Sequence, residues 1–351
     1  MPTIAHDYAP APTLSELNAR LARDLSGWPS FDACPVCGGS SGRFAVLRHM
    51  PYDRCRDCGF TFANPYPPPR VCDGFYSSAF YGNYRTLEDR RRGRDRYFSA
   101  SMYTDPRELA SLIAAYSPET LLDYGCGTGA FLLRLREEFG IRGDGLEIGA
   151  QARDAARRYG LRLAATAREL PQSSYDMVLL LEVIEHVPDP VAFLEGIAGL
   201  IAPGGRLVIT TPAVDNPVAR WLPGICDHYT APSHVSLFTV RSIDRLLRRF
   251  ALIPERRVTD PARHTVRRAA ISALYGLDFV SPRHDDDTDD SLFIPTRLGR
   301  RRGRVPTRKP LLGSRTESVT RLADRTLARL APRPDHLYLV ARSAPAVASE
   351  R

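Results

Sequence analysis

The chain has 351 residues, enough for one large domain with appended segments. Its hydrophobic content of 43% is ordinary for a soluble protein, and no apolar run reaches the roughly 18 residues that a membrane span needs. Residues 1–27 lack the apolar core of a signal peptide, so we expect a cytoplasmic protein. The net charge is +8, with arginine concentrated at 85–96 and 297–329. These basic segments could bind nucleic acid, phosphorylated substrates or anionic lipid, or they could be solvent-exposed without a partner.

Four of the seven cysteines form two C-x2-C pairs that are separated by 17 residues. In a cytosolic chain this spacing is typical of a four-cysteine zinc site rather than of a disulfide framework. Four thiolates fill a tetrahedral ion and leave no open position for water, so we expect structural zinc that stabilises a small ribbon at 31–63. The predicted metal ligands are Cys34, Cys37, Cys55 and Cys58.

The remaining chain divides by composition. An N-terminal arm is predicted at 1–30, with a short helix at its end. A linker with lid helices is predicted at 64–104, because a proline-rich connector leads there into an aromatic segment and a helical pattern. The rest, 105–351, reads as one domain with an insertion at about 260–334, which contains an acidic run and an arginine- and proline-rich stretch.

From residue 107 onward, helical and strand patterns alternate, which predicts an α/β fold with a mainly parallel sheet. We predict strands at 120–124, 142–147, 161–165, 175–181, 205–211, 252–258 and 336–342. Helices are predicted at 107–116, 129–139, 149–159, 190–201 and 240–250.

The most informative segment is 121–129, which reads Leu-Leu-Asp-Tyr-Gly-Cys-Gly-Thr-Gly between a predicted strand and a predicted helix. Its glycines allow a tight turn and a close approach of the backbone to a ligand at the helix N-terminus. Glu147, about 20 residues on, could accept hydrogen bonds from both ribose hydroxyls. A dinucleotide would also satisfy this pattern. However, Asp123 would repel a pyrophosphate and suits the cationic methionine end of S-adenosylmethionine (SAM).

Several further blocks follow in a fixed order: Tyr-Asp-Met-Val at 175–178, Glu-Val-Ile-Glu-His-Val at 182–187, Leu-Ile-Ala-Pro-Gly-Gly at 200–205 and Thr-Pro at 211–212. With the glycine loop and Glu147, they resemble the class I SAM-dependent methyltransferases of the ubiquinone-biosynthesis and sugar-methyltransferase type. The resemblance covers about 105–260 plus the last strand. It implies a Rossmann-like sheet of seven strands, closed by an antiparallel pair.

The resemblance also implies the residues that contact SAM. The acid pair Asp123 and Glu147 would hold the methionine end and the ribose, and the segment after the third strand would flank adenine. The predicted cofactor-binding residues are Asp123, Gly125, Cys126, Gly127, Gly129, Glu147, Ile148, Glu169, Leu170 and Glu182.

Methyl transfer needs an acceptor aligned with the methyl carbon and a group that takes the acceptor's proton. His186, after the fourth strand, and His234, after the fifth, fall on the expected acceptor rim. In the sugar C-methyltransferases that the chain resembles, a histidine next to an acid takes part in acid–base chemistry. Here Ser233 stands in place of that acid, so either histidine could be the base or could have a structural role.

Three functions remain open at this point. The first is methylation of oxygen or carbon, less favourably nitrogen, on a small molecule such as a sugar, polyketide or carrier-linked intermediate. The second is methylation of rRNA or tRNA, because some such enzymes carry a cysteine-rich zinc module. The ribbon is not strongly basic, however, and no aromatic–basic stacking pattern is evident. The third is a non-catalytic scaffold, against which the intact loop and acids argue.

Overall fold

A computed structural model of the chain describes residues 21–76, 106–157, 159–172, 174–226, 228–261 and 334–344. The predicted lid helices and most of the predicted arm and insertion lie outside the described residues. Within the described parts of the chain, none of the helices combines the length and the apolar character that crossing a bilayer requires.

The cysteine-containing segment folds into a small antiparallel sheet. Strand β1 (Ser41–Leu47) pairs with β2 (Met50–Cys55), which pairs in turn with β3 (Thr61–Ala63). A 3-10 turn at Ala22–Gly27 precedes the sheet, and helix α1 (Pro69–Tyr76) follows it. Within the ribbon, the sequence pattern predicts strands at 43–48 and 59–63, which correspond to β1 and β3. Strand β2 was not predicted, because Pro51, Asp53 and Arg54 obscure its strand pattern.

The second unit alternates helices and strands, as the sequence predicts. Its helices are α2 (Pro106–Ala115), α3 (Ala130–Phe139), α4 (Ala150–Arg157), α5 (Pro190–Ala198), α6 (Pro217–Trp221) and α7 (Val240–Arg248). Its strands are β4 (Leu121–Tyr124), β5 (Asp144–Leu146), β6 (Tyr175–Leu181), β7 (Ile201–Pro212), β8 (Ser236–Leu237), β9 (Leu252–Pro261) and β10 (Pro334–Ser343).

Six of these strands form one twisted sheet in the order β5-β4-β6-β7-β10-β9. The strands β4, β5, β6 and β7 pair in parallel, whereas β10 is antiparallel to both β7 and β9. The strand predicted at 161–165 is reduced to a single parallel bridge between Ala164 and Leu146, on the outer side of β5. That bridge holds the seventh position of the sheet, and the predicted Rossmann-like fold class is confirmed.

One strand boundary differs from the prediction. The strand predicted at 205–211 begins at Ile201, so that Pro203, Gly204 and Gly205 lie inside β7, where the pairing with β6 shifts register. Gly204 has a φ of 77°, and the space at Gly205 is closed by the carbonyl oxygen of Ala202, 2.8 Å from where a Cβ would be. The two glycines therefore form an irregularity within the strand, and the preceding helix ends at Ala198 rather than at 201.

The short strand β8 joins the two sheets. It pairs with β3, so that Thr61 faces Leu237 and Phe62 faces Ser236. The hydrophobic core is also shared, because Phe60 and Phe62 pack in one cluster with side chains of the large sheet and of α7. The cysteine segment is therefore built against the loop that follows β7, at the carboxyl end of the parallel strands.

Candidate active site at the carboxyl end of the sheet

The glycine loop follows β4 and turns directly into α3. Gly125, Gly127 and Gly129 all have positive φ, at 79°, 55° and 73°, a conformation that favours glycine. A Cβ on Gly125 would lie 2.7 Å from Cγ2 of Val183, which belongs to the segment after β6. The loop is therefore a close-fitting cradle that contacts the neighbouring strand end, as the sequence predicts for a nucleotide site.

Asp123, the last acid of β4 before the loop, is buried, with 2% of its surface exposed. Burial, reinforced by the charge of Glu147, raises the pKa of Asp123 to about 7. A cationic ligand near this carboxylate would offset the cost of its burial. The raised pKa thus fits the predicted contact with the positively charged end of SAM.

Glu147, just after β5, is hydrogen-bonded to the glycine loop. The amide of Gly127 donates to its Oε2 at 2.9 Å, and the amide of Gly149 donates to its Oε1 at 2.6 Å. The carboxylate is thereby fixed beside the backbone cradle, at the edge where a ribose would lie in the predicted complex.

The other predicted cofactor contacts differ in their surroundings. Cys126 is buried, whereas the side chain of Ile148 is 62% exposed. Glu169 is exposed and accepts hydrogen bonds from the Ala165 amide and the Thr166 hydroxyl, so its carboxylate caps its own turn. Leu170 packs partly buried against the core. Glu169 thus has a local structural role that the sequence analysis did not predict.

The four predicted metal ligands come together in the small sheet. The sulfur atoms of Cys34 and Cys58 lie 3.7 Å apart, and those of Cys37 and Cys55 lie 3.5 Å apart. A disulfide requires about 2 Å, whereas thiolates around tetrahedral zinc at about 2.3 Å are separated by roughly 3.8 Å. Backbone amides of Asp57 and Cys58 also point at the sulfur of Cys55, at 3.4 and 3.5 Å. The donor set and its spacing fit a zinc ion.

The two predicted catalytic histidines lie side by side, with ring centroids 5.0 Å apart. Nδ1 of His186 lies 2.9 Å from the carbonyl oxygen of Ser233, and Nδ1 of His234 lies 3.0 Å from that of His228. Because a carbonyl can only accept, each Nδ1 carries the proton in the neutral ring, and each Nε2 presents a lone pair. Burial, followed by the neighbouring His186 and His228, lowers the pKa of His234 well below its ordinary value. His234 is therefore neutral at pH 7.

Two glutamates after β6 complete this cluster. Burial alone would raise the pKa of Glu182. However, Nε2 of His336 on β10 lies 3.3 Å from Glu182 Oε2, and this interaction outweighs the effect of burial, so the pKa of Glu182 is lowered. Glu185 is fully buried and accepts a hydrogen bond from the Thr211 hydroxyl at 3.0 Å. Burial and the nearby charge of Glu182 raise the pKa of Glu185 well above its ordinary range. The two carboxyl groups therefore differ in proton affinity, and Glu185 is the one that keeps a proton to higher pH.

The structure also brings in residues that the sequence analysis did not select. Glu185 Oε1 lies 3.8 Å from His186 Nε2, and the donor atoms of Glu185, His186 and His234 all lie within 4.8 Å of one another. These three could together bind a proton or a cation. Glu185 was visible in the Glu-Val-Ile-Glu-His block. His336 carried no local signal, because only the pairing of β10 with β7 brings it to this end of the sheet.

The sheet order, glycine cradle and paired acids define a class I methyltransferase domain, and residues 99–252 match a family model described as a methyltransferase domain. The ubiquinone biosynthesis O-methyltransferase of Serratia proteamaculans is 32% identical over 115 residues, covering 30% of this chain and 46% of that protein. The norajmaline N-methyltransferase of Rauvolfia serpentina is 30% identical over 128 residues, covering 33% and 41%. The match to the family model covers residues 99–252, and the chain spans less than half the length of these relatives.

Among solved structures, a similar one is the 1,6-didemethyltoxoflavin-N1-methyltransferase of Burkholderia thailandensis, with bound 1,6-didemethyltoxoflavin and S-adenosylhomocysteine. Its TM-score is 0.44 at 17% identity, and the match covers 82% of this chain and 97% of that one.

Proposed function

We propose that the protein transfers the methyl group of SAM to an oxygen or carbon, less favourably a nitrogen, of a small-molecule acceptor such as a sugar, a polyketide or a carrier-linked intermediate. The observation that carries this proposal is the adjacent pair of histidines, His186 and His234, with ring centroids 5.0 Å apart at the same sheet end as the glycine loop. The relatives described above are named for ubiquinone biosynthesis and for norajmaline, which favours a small-molecule acceptor.

In the proposed complex, the cradle at 125–129 holds SAM, with Asp123 beside its cationic end and Glu147 on the ribose. SAM supplies an electrophilic methyl group and leaves as an uncharged thioether. Asp123 and Glu147 are already placed by burial and by two backbone amides, so little reorganisation is needed on binding. Ile148 and Leu170 would line the adenine with their apolar surfaces, and Glu182 would border the site from the end of β6.

The acceptor's proton must leave as its new bond to the methyl carbon forms. We assign this step to Nε2 of His234, with His186 as the second candidate. Each Nδ1 faces a backbone carbonyl and so carries a proton, which leaves Nε2 as the nitrogen with the lone pair when the ring is neutral. For His234 the lowered pKa favours that neutral form. The proton moves from the acceptor to Nε2 of His234, and the carboxyl group of Glu185 and the ring of His186 lie beside that histidine.

We also propose that the four cysteines bind structural zinc. The sulfur spacing fits the ion, and all four ligand positions are filled by the chain itself. Bound zinc would stabilise a sheet whose three strands are too few for a core of their own.

Methylation of rRNA or tRNA is the alternative. Against it, three arginines of the cysteine segment are already engaged by groups of the chain itself. Arg43 pairs with Asp53 at 3.1 Å, Arg48 donates to the carbonyl of Tyr229, and Arg54 donates to the hydroxyl of Tyr229. Guanidinium groups engaged in this way contribute little to phosphate binding.

The test is transfer of radiolabelled methyl from SAM to a panel of hydroxylated, carbonyl-containing and amine acceptors, with total RNA in a parallel arm. Once an acceptor is found, His234→Asn should lower kcat by about 10² to 10⁴-fold, since the asparagine amide can still donate to His228 but offers no Nε2.

The matched control is His49→Asn, which makes the same chemical change in the turn between β1 and β2. It should leave kcat within about twofold of wild type. Labelling of RNA alone would overturn the choice of a small-molecule acceptor, and an active His234→Asn variant would overturn the assignment of the base to His234.

A further inference from the structure

We propose that Tyr52, on the cysteine-bearing sheet, is a positioning residue that holds the loop carrying His234, so that the zinc site supports the acceptor end of the domain. The name "histidine loop" is used below for residues 228–235. The inference rests on the proposed function only in treating His234 as the base. The positioning itself is a property of the backbone and can be measured without an acceptor.

Tyr52 makes two hydrogen bonds to the histidine loop through its hydroxyl group, and its ring packs edge-on against Tyr229 of that loop. Its Oη accepts a hydrogen bond from the amide of Ala231 at 2.8 Å and donates one to the carbonyl oxygen of His234 at 2.9 Å. The residue is fully buried, and burial raises the pKa of Tyr52, so the hydroxyl keeps the proton that it donates. One side chain thereby fixes both ends of the turn that presents His234.

The histidine loop is held from two sides. On the side of the small sheet, Arg48 donates to the carbonyl oxygen of Tyr229 at 2.6 Å, and the Ala63 amide donates to that of Val235 at 2.9 Å. On the side of the large sheet, the Val235 amide donates to the carbonyl oxygen of Glu185 at 2.9 Å. Without the small sheet, the histidine loop would lose the hydrogen bonds from Tyr52, Arg48 and Ala63 that help to orient His234.

The zinc ligands are connected to Tyr52 through one strand. Tyr52 lies on β2, which ends at Cys55, the ligand whose sulfur receives two backbone amides. Beyond the ligands, the hydroxyl of Thr239, just after β8, donates to the carbonyl oxygen of Cys58 at 2.7 Å. Loss of zinc should therefore release the end of β2 and, through Tyr52, the histidine loop.

The experiment compares Tyr52→Phe with wild type by residue-resolved amide hydrogen exchange. Phenylalanine keeps the ring, which packs edge-on against Tyr229, and removes only the hydroxyl. We expect the Ala231 amide to exchange about tenfold faster in the variant, with the glycine-loop amides unchanged. Tyr175→Phe is the matched control, because Tyr175 is equally buried and loses a hydroxyl bond to Asp144 in the large sheet.

Two further measurements separate positioning from general loosening. Removal of zinc from the wild-type protein by a chelator should accelerate exchange in the same loop before it affects β4 and β6. The ring nitrogen shifts of His234 should report one tautomer in wild type and a mixture in Tyr52→Phe.

Unchanged Ala231 exchange in Tyr52→Phe would overturn the inference. If amide exchange rises uniformly in that variant, exchange in the chelator-treated wild-type protein is the deciding measurement. Faster exchange confined to the histidine loop supports the inference, and a uniform rise contradicts it. Neither readout depends on catalysis, so the positioning by Tyr52 can be supported or overturned independently of the proposed function.

Discussion

The cofactor edge and the histidine cluster lie at the same end of one sheet but are built in different ways. The cradle and the two acids of the cofactor edge come from a single stretch, 121–149, in which backbone amides donate to Glu147 and to the carbonyl oxygen of Leu146. The histidine cluster takes residues from after β6, from β7, from the histidine loop and from β10. A site made from one stretch tolerates change elsewhere, whereas an assembled site depends on every segment that supports it.

This difference predicts how each region responds to mutation. Within the cofactor edge, a substitution should affect SAM binding only when it alters the cradle or its acids. Within the histidine cluster, distant changes on the small sheet should alter the position of His234 while SAM binding is retained.

The largest effect on binding is expected from Gly125→Ala. A Cβ at this position meets Val183 at 2.7 Å, and the residue has a φ of 79°. The clash and the backbone strain together should weaken SAM binding by about tenfold to a hundredfold, measured by calorimetry.

Gly140→Ala is the matched control, because Gly140 also has a positive φ, 69°, but has open space where the Cβ would be. It should cost about 1 kcal/mol of stability through the same backbone strain and leave SAM affinity unchanged. Equal losses of affinity in both variants would show that strain alone, rather than the cradle, explains the effect.

A smaller effect is expected from pH. Burial and Glu147 raise the pKa of Asp123 to about 7, and the cationic end of SAM should bind the ionised form. Affinity should therefore be highest above this pKa and fall as pH decreases through it, by up to about tenfold per pH unit.

Asp123→Asn provides the comparison, since its amide is nearly isosteric and does not titrate in this range. The variant should bind SAM weakly and show a flatter pH dependence. A wild-type affinity that stays constant as pH falls well below 7 would contradict the contact between Asp123 and the cation.

The two regions also differ in how far sequence could predict them. The strand at 175–181 and the turn into α3 follow from apolar runs and glycines that are adjacent in sequence. The pairing of Thr61 with Leu237, and the approach of Tyr52 to Ala231, depend on long-range contacts across roughly 180 residues. No local pattern encodes such contacts. The two-residue strand β8 is also too short to carry a periodic signal.

The four cysteines are an intermediate case. Their spacing in sequence predicted the four-cysteine cluster. Each C-x2-C pair has a fixed local geometry, so a single strand pairing is enough to bring the two pairs together. The position of that cluster against the histidine loop could not be predicted, since it depends on β3 pairing with a strand that follows β7.

The central claim is that the cradle between β4 and β5 binds SAM. The most direct test is calorimetric titration of the purified protein with SAM and with S-adenosylhomocysteine, with NADH as the control nucleotide. We predict saturable binding of both SAM and S-adenosylhomocysteine with affinities of about micromolar, and no binding of NADH. Binding of NADH alone, or of none of the three, would contradict the assignment.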